Sequence, residues 1–159
     1  MKLLIQMLFF ISLFLFSCQN DYEKVELNEI AIKGGVFFGF CVGYCKSEIE
    51  IVNKDVVFRA SSWNDPDYPD NVLSGNISIQ EWDSLIESVD MDSLLPLGDI
   101  IGCPDCADGG GEWIEITKVD TLKRVTFEYG ETVESIQSLI EKVRVIRKRF
   151  YCEMFPENC

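Results

Sequence analysis

The chain has 159 residues, 14 of them basic and 27 acidic, a formal net charge of −13, seven cysteines and no histidine. Without imidazole there is no Ser-His-Asp or Cys-His nucleophilic catalysis, no His-ligated metal and no His acid–base step. The acidic balance repels phosphates, which argues against nucleic acid and anionic headgroups as partners, and no phosphate-cradling loop or other cofactor motif is present.

Residues 3–16, LLIQMLFFISLFLF, form an apolar run behind Lys2. A helical span takes about 20 apolar residues, so this run suits the hydrophobic part of an export signal. It stops at Leu15-Phe16-Ser17-Cys18, and the chain turns polar with Gln19-Asn20-Asp21. Leu15, the small Ser17 and Cys18 resemble the lipobox of bacterial lipoproteins. Phe16 departs from the usual small or branched residue, at a position where lipoproteins of the Bacteroidota type are looser. The resemblance implies removal of residues 1–17 as a signal peptide, lipid on Cys18 and a place in the cell envelope. Gln19, rather than aspartate, after the cysteine implies the outer membrane. Several acyl chains on one cysteine give a stable bilayer anchor. Residues 18–29 then comprise the lipidated cysteine and a flexible acidic tether, and residues 30–159 a single α+β domain.

Within that domain Ile30-Ala31-Ile32 reads as a short strand, followed by Gly34-Gly35 and the aromatic run VFFGFCVGYC at 36–45. Glu48 to Val52 alternates with period two, Asn53-Lys54 makes a tight turn, and Asp55 to Ala60 returns as a second strand. Residues 61–76, SSWNDPDYPDNVLSGN, have the composition of a loop. Ser78 and Glu81 make a capping box for a helix near 78–90, with Ile79, Trp82, Leu85, Ile86 and Val89 on its apolar face. Pro96 and Gly98 end that region, and GCPDCADGGG at 102–111 is irregular. Strands at 112–119 and 122–129 follow. After Gly130, Thr132 caps a helix to Phe150 whose buried stripe is Val133, Ile136, Leu139, Ile140, Val143, Ile146 and Phe150. Arg144, Arg147, Lys148 and Arg149 read as a solvated helix terminus, where cations suit the dipole.

Ser84 to Val89 recurs as Ser138 to Val143, identical at five of six positions, and each copy follows a cysteine pair and a hairpin. The expectation is a duplicated β-β-α unit, with half-units near 36–95 and 100–150 and a cysteine-containing tail at 151–159. Its fold would be a two-layer α+β sandwich, a four-stranded antiparallel sheet with two helices on one face under a pseudo-twofold.

The stretch Gly39-Phe40-Cys41-Val42-Gly43-Tyr44-Cys45 and the segment GCPDCADGGGEWIEI resemble motifs of uncharacterised Bacteroidota lipoproteins carrying a domain of unknown function. The likeness covers most of residues 34–130. It implies address and fold and brings no activity with it.

Several constellations bear on chemistry. Cys103-Pro104-Asp105-Cys106 has the spacing of thiol–disulfide oxidoreductases, but no helix follows it, and Asp105 and Asp108 push a thiol pKa upward. The spacings C-x3-C and C-x2-C suit a zinc tetrathiolate, against which export favours disulfides. Asp65, Asp67 and Asp70, and Asp105 and Asp108 with Glu112, are weak calcium candidates without the alternation of an EF-hand loop. Glu48/Glu50 and Glu112/Glu115 are carboxylate pairs of the kind a glycosidase needs, with nothing to select one. Phe37, Phe38, Phe40 and Tyr44 read as core before partner anchor. With Cys18 lipidated, the tail closes as Cys152–Cys159, while Cys41, Cys45, Cys103 and Cys106 make two bridges, within each pair or across. Crossed bridges close loops of about 60 residues and stabilise by roughly 4 kcal/mol in the chain-entropy model. The expected function is a non-catalytic binding or interaction module anchored in the envelope, its partner an unknown protein or small molecule. The rivals are an envelope enzyme, redox through Cys103/Cys106 or hydrolytic, and a zinc or calcium protein.

Overall fold

A computed structural model describes residues 30–159. The signal segment, Cys18 and the tether lie outside the described residues. The elements are β1 (Ile30–Phe37), β2 (Lys46–Val52), β3 (Asp55–Ser61), β4 (Asn71–Asn76), α1 (Ile79–Glu87), α2 (Met91–Leu94), β5 (Gly111–Lys118), β6 (Thr121–Glu128) and α3 (Gln137–Met154). The strands form one sheet in the order β4-β3-β2-β1-β5-β6, antiparallel at every pairing. Among the described residues no helix is long and apolar enough to cross a membrane.

The α+β layering is present, but among the described residues the sheet has six strands instead of four, with three helices instead of two. One added strand is β1, which runs straight through Gly34-Gly35 and occupies a central place in the sheet. The glycines answer crowding on both faces. A Cβ on Gly34 would lie 2.6 Å from Val143 Cγ1 of α3, and one on Gly35 would lie 2.8 Å from the Trp113 indole. Glycine within a strand marks such a close approach as readily as it marks a break. The other addition is β4, inside the segment read as loop. Its Asn, Ser and Gly are poor strand formers, and it is held at the edge by pairing Leu73 with Phe58 and Asn71 with Ala60 of β3.

The duplication fails on strand direction. β2 and β5 both run antiparallel to β1, so they are parallel to each other. A twofold normal to the sheet would make them antiparallel. A twofold along β1 would put α1 and α3 on opposite faces, yet Trp82 and Leu85 of α1 share one core with Ile140 and Val143 of α3. No twofold relates the halves, and the repeated SLIE string reflects the common demands of amphipathic helices.

Strand alternation sends Ile32, Ile49, Ile51, Val56, Phe58, Ile114, Ile116, Val125 and Phe127 toward the helices, where they form the core. The opposite face is a field of ion pairs: Lys33–Glu50 at 3.0 Å, Arg59–Glu48 at 3.4 Å and Arg124–Glu115 at 2.8 Å. Arg124 also lies 3.8 Å above the Trp113 ring. The capping box of α1 is formed, Glu81 N–H donating to Ser78 Oγ at 3.2 Å and Ser78 N–H to Glu81 Oε2 at 2.9 Å. That backbone hydrogen bond holds the Glu81 carboxyl below its ordinary range. α3 starts and ends later than expected. A 3-10 turn at Glu134–Ile136 precedes it, no side chain caps it, and Thr132 is outside it.

Gly34→Ala should lower stability by about 1–3 kcal/mol, because the added methyl meets a packed side chain. The same substitution in a Val143→Ala background should cost less, as urea unfolding will measure. Equal costs in the two backgrounds would mean that Gly34 is not required by the helix.

Candidate functional site

At the end of the sheet where β1 finishes and β2 and β5 begin, a cavity of about 560 Å³ opens between the sheet and α3. Register places Val36, Ser47 and Glu112 side by side on the inner face there. Glu112 therefore sits where the alternation that buries Ile114 and Ile116 also buries a carboxylate, and it is 2% exposed.

Two arginines of α3 meet it. Arg144 donates from Nε to both Glu112 oxygens at 3.0 Å and from Nη2 to Oε2 at 2.8 Å, and its Nη2 also donates to the Glu131 carbonyl at 2.6 Å. Arg147 lies farther off, with Nη2 at 3.5 Å from Glu112 Oε1 and Nη1 donating to Ser47 Oγ at 3.2 Å. Burial pulls the Arg147 guanidinium below its ordinary pKa, with Glu112 and then Tyr129 opposing that shift. Among the described residues no sealed side-chain nitrogen or oxygen lacks a hydrogen-bond partner. The Arg147 N–H groups with no protein acceptor are therefore not sealed from solvent, and Arg147 lines the cavity.

Of the basic run expected as a solvated helix terminus, Lys148 and Arg149 are exposed but Arg144 and Arg147 are not. α3 continues to Met154, so Arg144 and Arg147 are interior to the helix and turned toward the sheet. A signal was available in the spacing. Ile140, Val143, Arg147 and Phe150 recur at intervals of three and four, so Arg147 falls on the buried stripe, and Glu112 shares the inner face of β5 with Ile114 and Ile116.

The rim is stapled. The bridges are Cys41–Cys45, Cys103–Cys106 and Cys152–Cys159, so the four cysteines whose pairing was open join within each pair. Cys45 and Cys159 line the cavity. The Asp105 carboxylate accepts from Gly39 N–H at 3.0 and 3.1 Å and from Gly110 N–H at 3.1 Å, tying the two cysteine loops together. Trp63 Nε1 donates to the Phe38 carbonyl at 2.7 Å. Such short bridges remove little unfolded-state entropy, and what they add is local stiffness.

The other candidates fall elsewhere. Asp65 accepts from Asp67 N–H at 3.0 Å in a turn, Asp70 lies 3.5 Å from Arg59, Asp105 is spent on backbone amides and Asp108 is exposed. Among the described residues no group of three His, Cys, Asp or Glu side chains is placed to hold a metal. Cys103 and Cys106 are followed by a three-residue 3-10 turn and a strand, and Cys103 N–H donates to Glu128 at 2.9 Å. That surrounding is anionic and offers no helix field to a thiolate. Glu112 and Glu115 point to opposite faces of the sheet, while Glu48 and Glu50 border one small outer-face cleft of about 120 Å³ and are both taken up in ion pairs, with Arg59 and Lys33. The aromatic run divides: Phe38 packs edge-on against Tyr129 at 4.9 Å, Tyr44 meets Tyr68 and Phe155, and Phe40 is 86% exposed. Neither a scan against protein-family models nor a search of curated proteins finds a match for this chain.

Asp105→Ala should destabilise the domain by about 1–2 kcal/mol, the scale of lost hydrogen bonds to a charged acceptor. Hydrogen exchange at the Gly39 and Gly110 amides should accelerate at least tenfold, while Ile49 in the sheet centre stays protected. Unchanged exchange at both glycines would rule out the staple.

Proposed function

We propose that this chain is a non-catalytic binding module of the cell envelope, held to the bilayer by lipid on Cys18, with a small molecule taken in the cavity beside Arg144 and Arg147. The observation that carries the reading is a preformed cavity of about 560 Å³ lined by one cysteine from each of two local disulfides, Cys41–Cys45 and Cys152–Cys159. Small-molecule sites commonly enclose roughly 300–1,000 Å³, and a rim already ordered loses little entropy on binding. The carboxylate inside is engaged by two guanidinium groups, which suits recognition better than proton transfer. The lipobox resemblance supports the anchor, and Gln19 supports the outer membrane.

Two measurements test the reading. Labelled palmitate should enter the wild-type protein and not Cys18→Ser, and intact mass should show residues 1–17 removed from the wild type and retained in the variant. Titration with a panel of neutral sugars, amino acids, organic acids and phosphate esters should shift the NMR signals of the Tyr129 and Tyr151 rings for at least one class. Cavity rings indifferent to every class at millimolar concentration would contradict the binding-module reading.

A further inference from the structure

Resting on that reading, we infer that the ligand of the cavity carries an oxyanion, a carboxylate or a phosphate group, and that Arg147 is the residue that receives it. Three cations of α3 line the cavity, Arg144, Arg147 and Lys148, against the single side-chain carboxylate of Glu112. This excess stands in a chain whose formal charge is −13. The two arginines are not equivalent. Arg144 is satisfied by both oxygens of Glu112 and by the Glu131 carbonyl, which makes it a positioning residue that holds Glu112. Arg147 is the more buried of the two, its side chain 14% exposed against 24%. Yet its one hydrogen bond to a side chain is the neutral Ser47 hydroxyl, and its nearest carboxylate oxygen is 3.5 Å away.

A largely desolvated guanidinium that shares its one carboxylate with Arg144 and makes no hydrogen bond to it is under-compensated, and an incoming oxyanion offsets that cost. The planar fork of the guanidinium matches the paired oxygens of a carboxylate or phosphate, and the low surrounding dielectric strengthens the contact. Lys148 stands at the next position of α3, whereas Lys46 borders the cavity with its ammonium turned away, 4.5 Å above the Trp63 ring. Tyr44, Tyr129 and Tyr151 supply rings and hydroxyls for the remainder of the ligand. The acidic outer surface repels extended polyanions, so the cavity admits a small anion and not a phosphate polymer.

The test uses the full detergent-solubilised protein and three ring probes that differ in charge: glucose, glucuronate and glucose 6-phosphate. Calorimetric titration should give at least one of the two anions a Kd tenfold or more below that of glucose, weakening as NaCl rises from about 50 to 500 mM. Which anion binds better assigns the carboxylate or the phosphate. Arg147→Met should raise the Kd of that anion at least tenfold more than it raises that of glucose, with Arg147→Lys intermediate. Lys148→Ala, at an exposed position whose loss cannot disturb the core, should raise it two- to threefold. Anion affinities equal to that of glucose, or unaffected by both Arg147→Met and Lys148→Ala, would overturn the oxyanion assignment and leave the binding module standing. If none of the three probes binds but a neutral member of the wider panel does, the oxyanion assignment alone falls. If nothing in the panel binds, both readings fall.

Discussion

The arrangement depends on how closely α3 approaches the central strand. With no side chain at Gly34, Val143 settles directly onto β1, where a Cβ would stand 2.6 Å from its methyl. That depth carries Arg144 and Arg147, one and four residues farther along the helix, to the carboxylate of Glu112. On the opposite face Trp113 covers Gly35 and is itself covered by Arg124. The glycine pair thus sets the thickness of the molecule at its centre. A larger residue at Gly34 would lift the helix and open the ion pair beneath it.

Glu112 is the less expected half of this design. An apolar residue at that inner position would serve packing as well or better, since a buried ion pair is often no more stabilising than a well-packed hydrophobic replacement. Its effect is to fix a guanidinium fork at the floor of a cavity and to leave a second one, Arg147, short of a partner. The same end of the sheet carries the three disulfides, all between residues three to seven apart in sequence. Covalent restraint is concentrated around the opening, while the hydrophobic core between sheet and helices holds the rest.

Much of this architecture was legible in the residues. Period-two alternation located the hairpin strands, the Ser78–Glu81 box located the start of α1, and the apolar stripe of Leu139, Ile140, Val143 and Phe150 located the buried face of α3. What escaped has physical causes. Glycine marks both a turn and a close approach, so Gly34-Gly35 ended a strand on paper that continues in space. β4 is held by its neighbour rather than by its own propensities, which a local reading cannot register. The near-identity of SLIESV and SLIEKV suggested duplication, but similar amphipathic strings arise wherever a helix covers a sheet, and strand direction decides the matter. The site was hidden because charged residues were sorted as surface by type. Arg147 lies on the apolar stripe by spacing, and Glu112 lies on the inner face of β5 by alternation, so position rather than identity carried the information.

The most direct test of this account is a double-mutant cycle between Glu112 and Arg144, comparing denaturant unfolding of the wild type, Glu112→Gln, Arg144→Met and the double variant. If the buried pair locks α3 over the sheet, each single substitution strands a buried partner and destabilises by about 3–5 kcal/mol, and the double variant is far less destabilised than the sum. The coupling should be about 2 kcal/mol or more. Additivity within about 0.5 kcal/mol would show that the pair does not hold the helix in place, and would contradict the account.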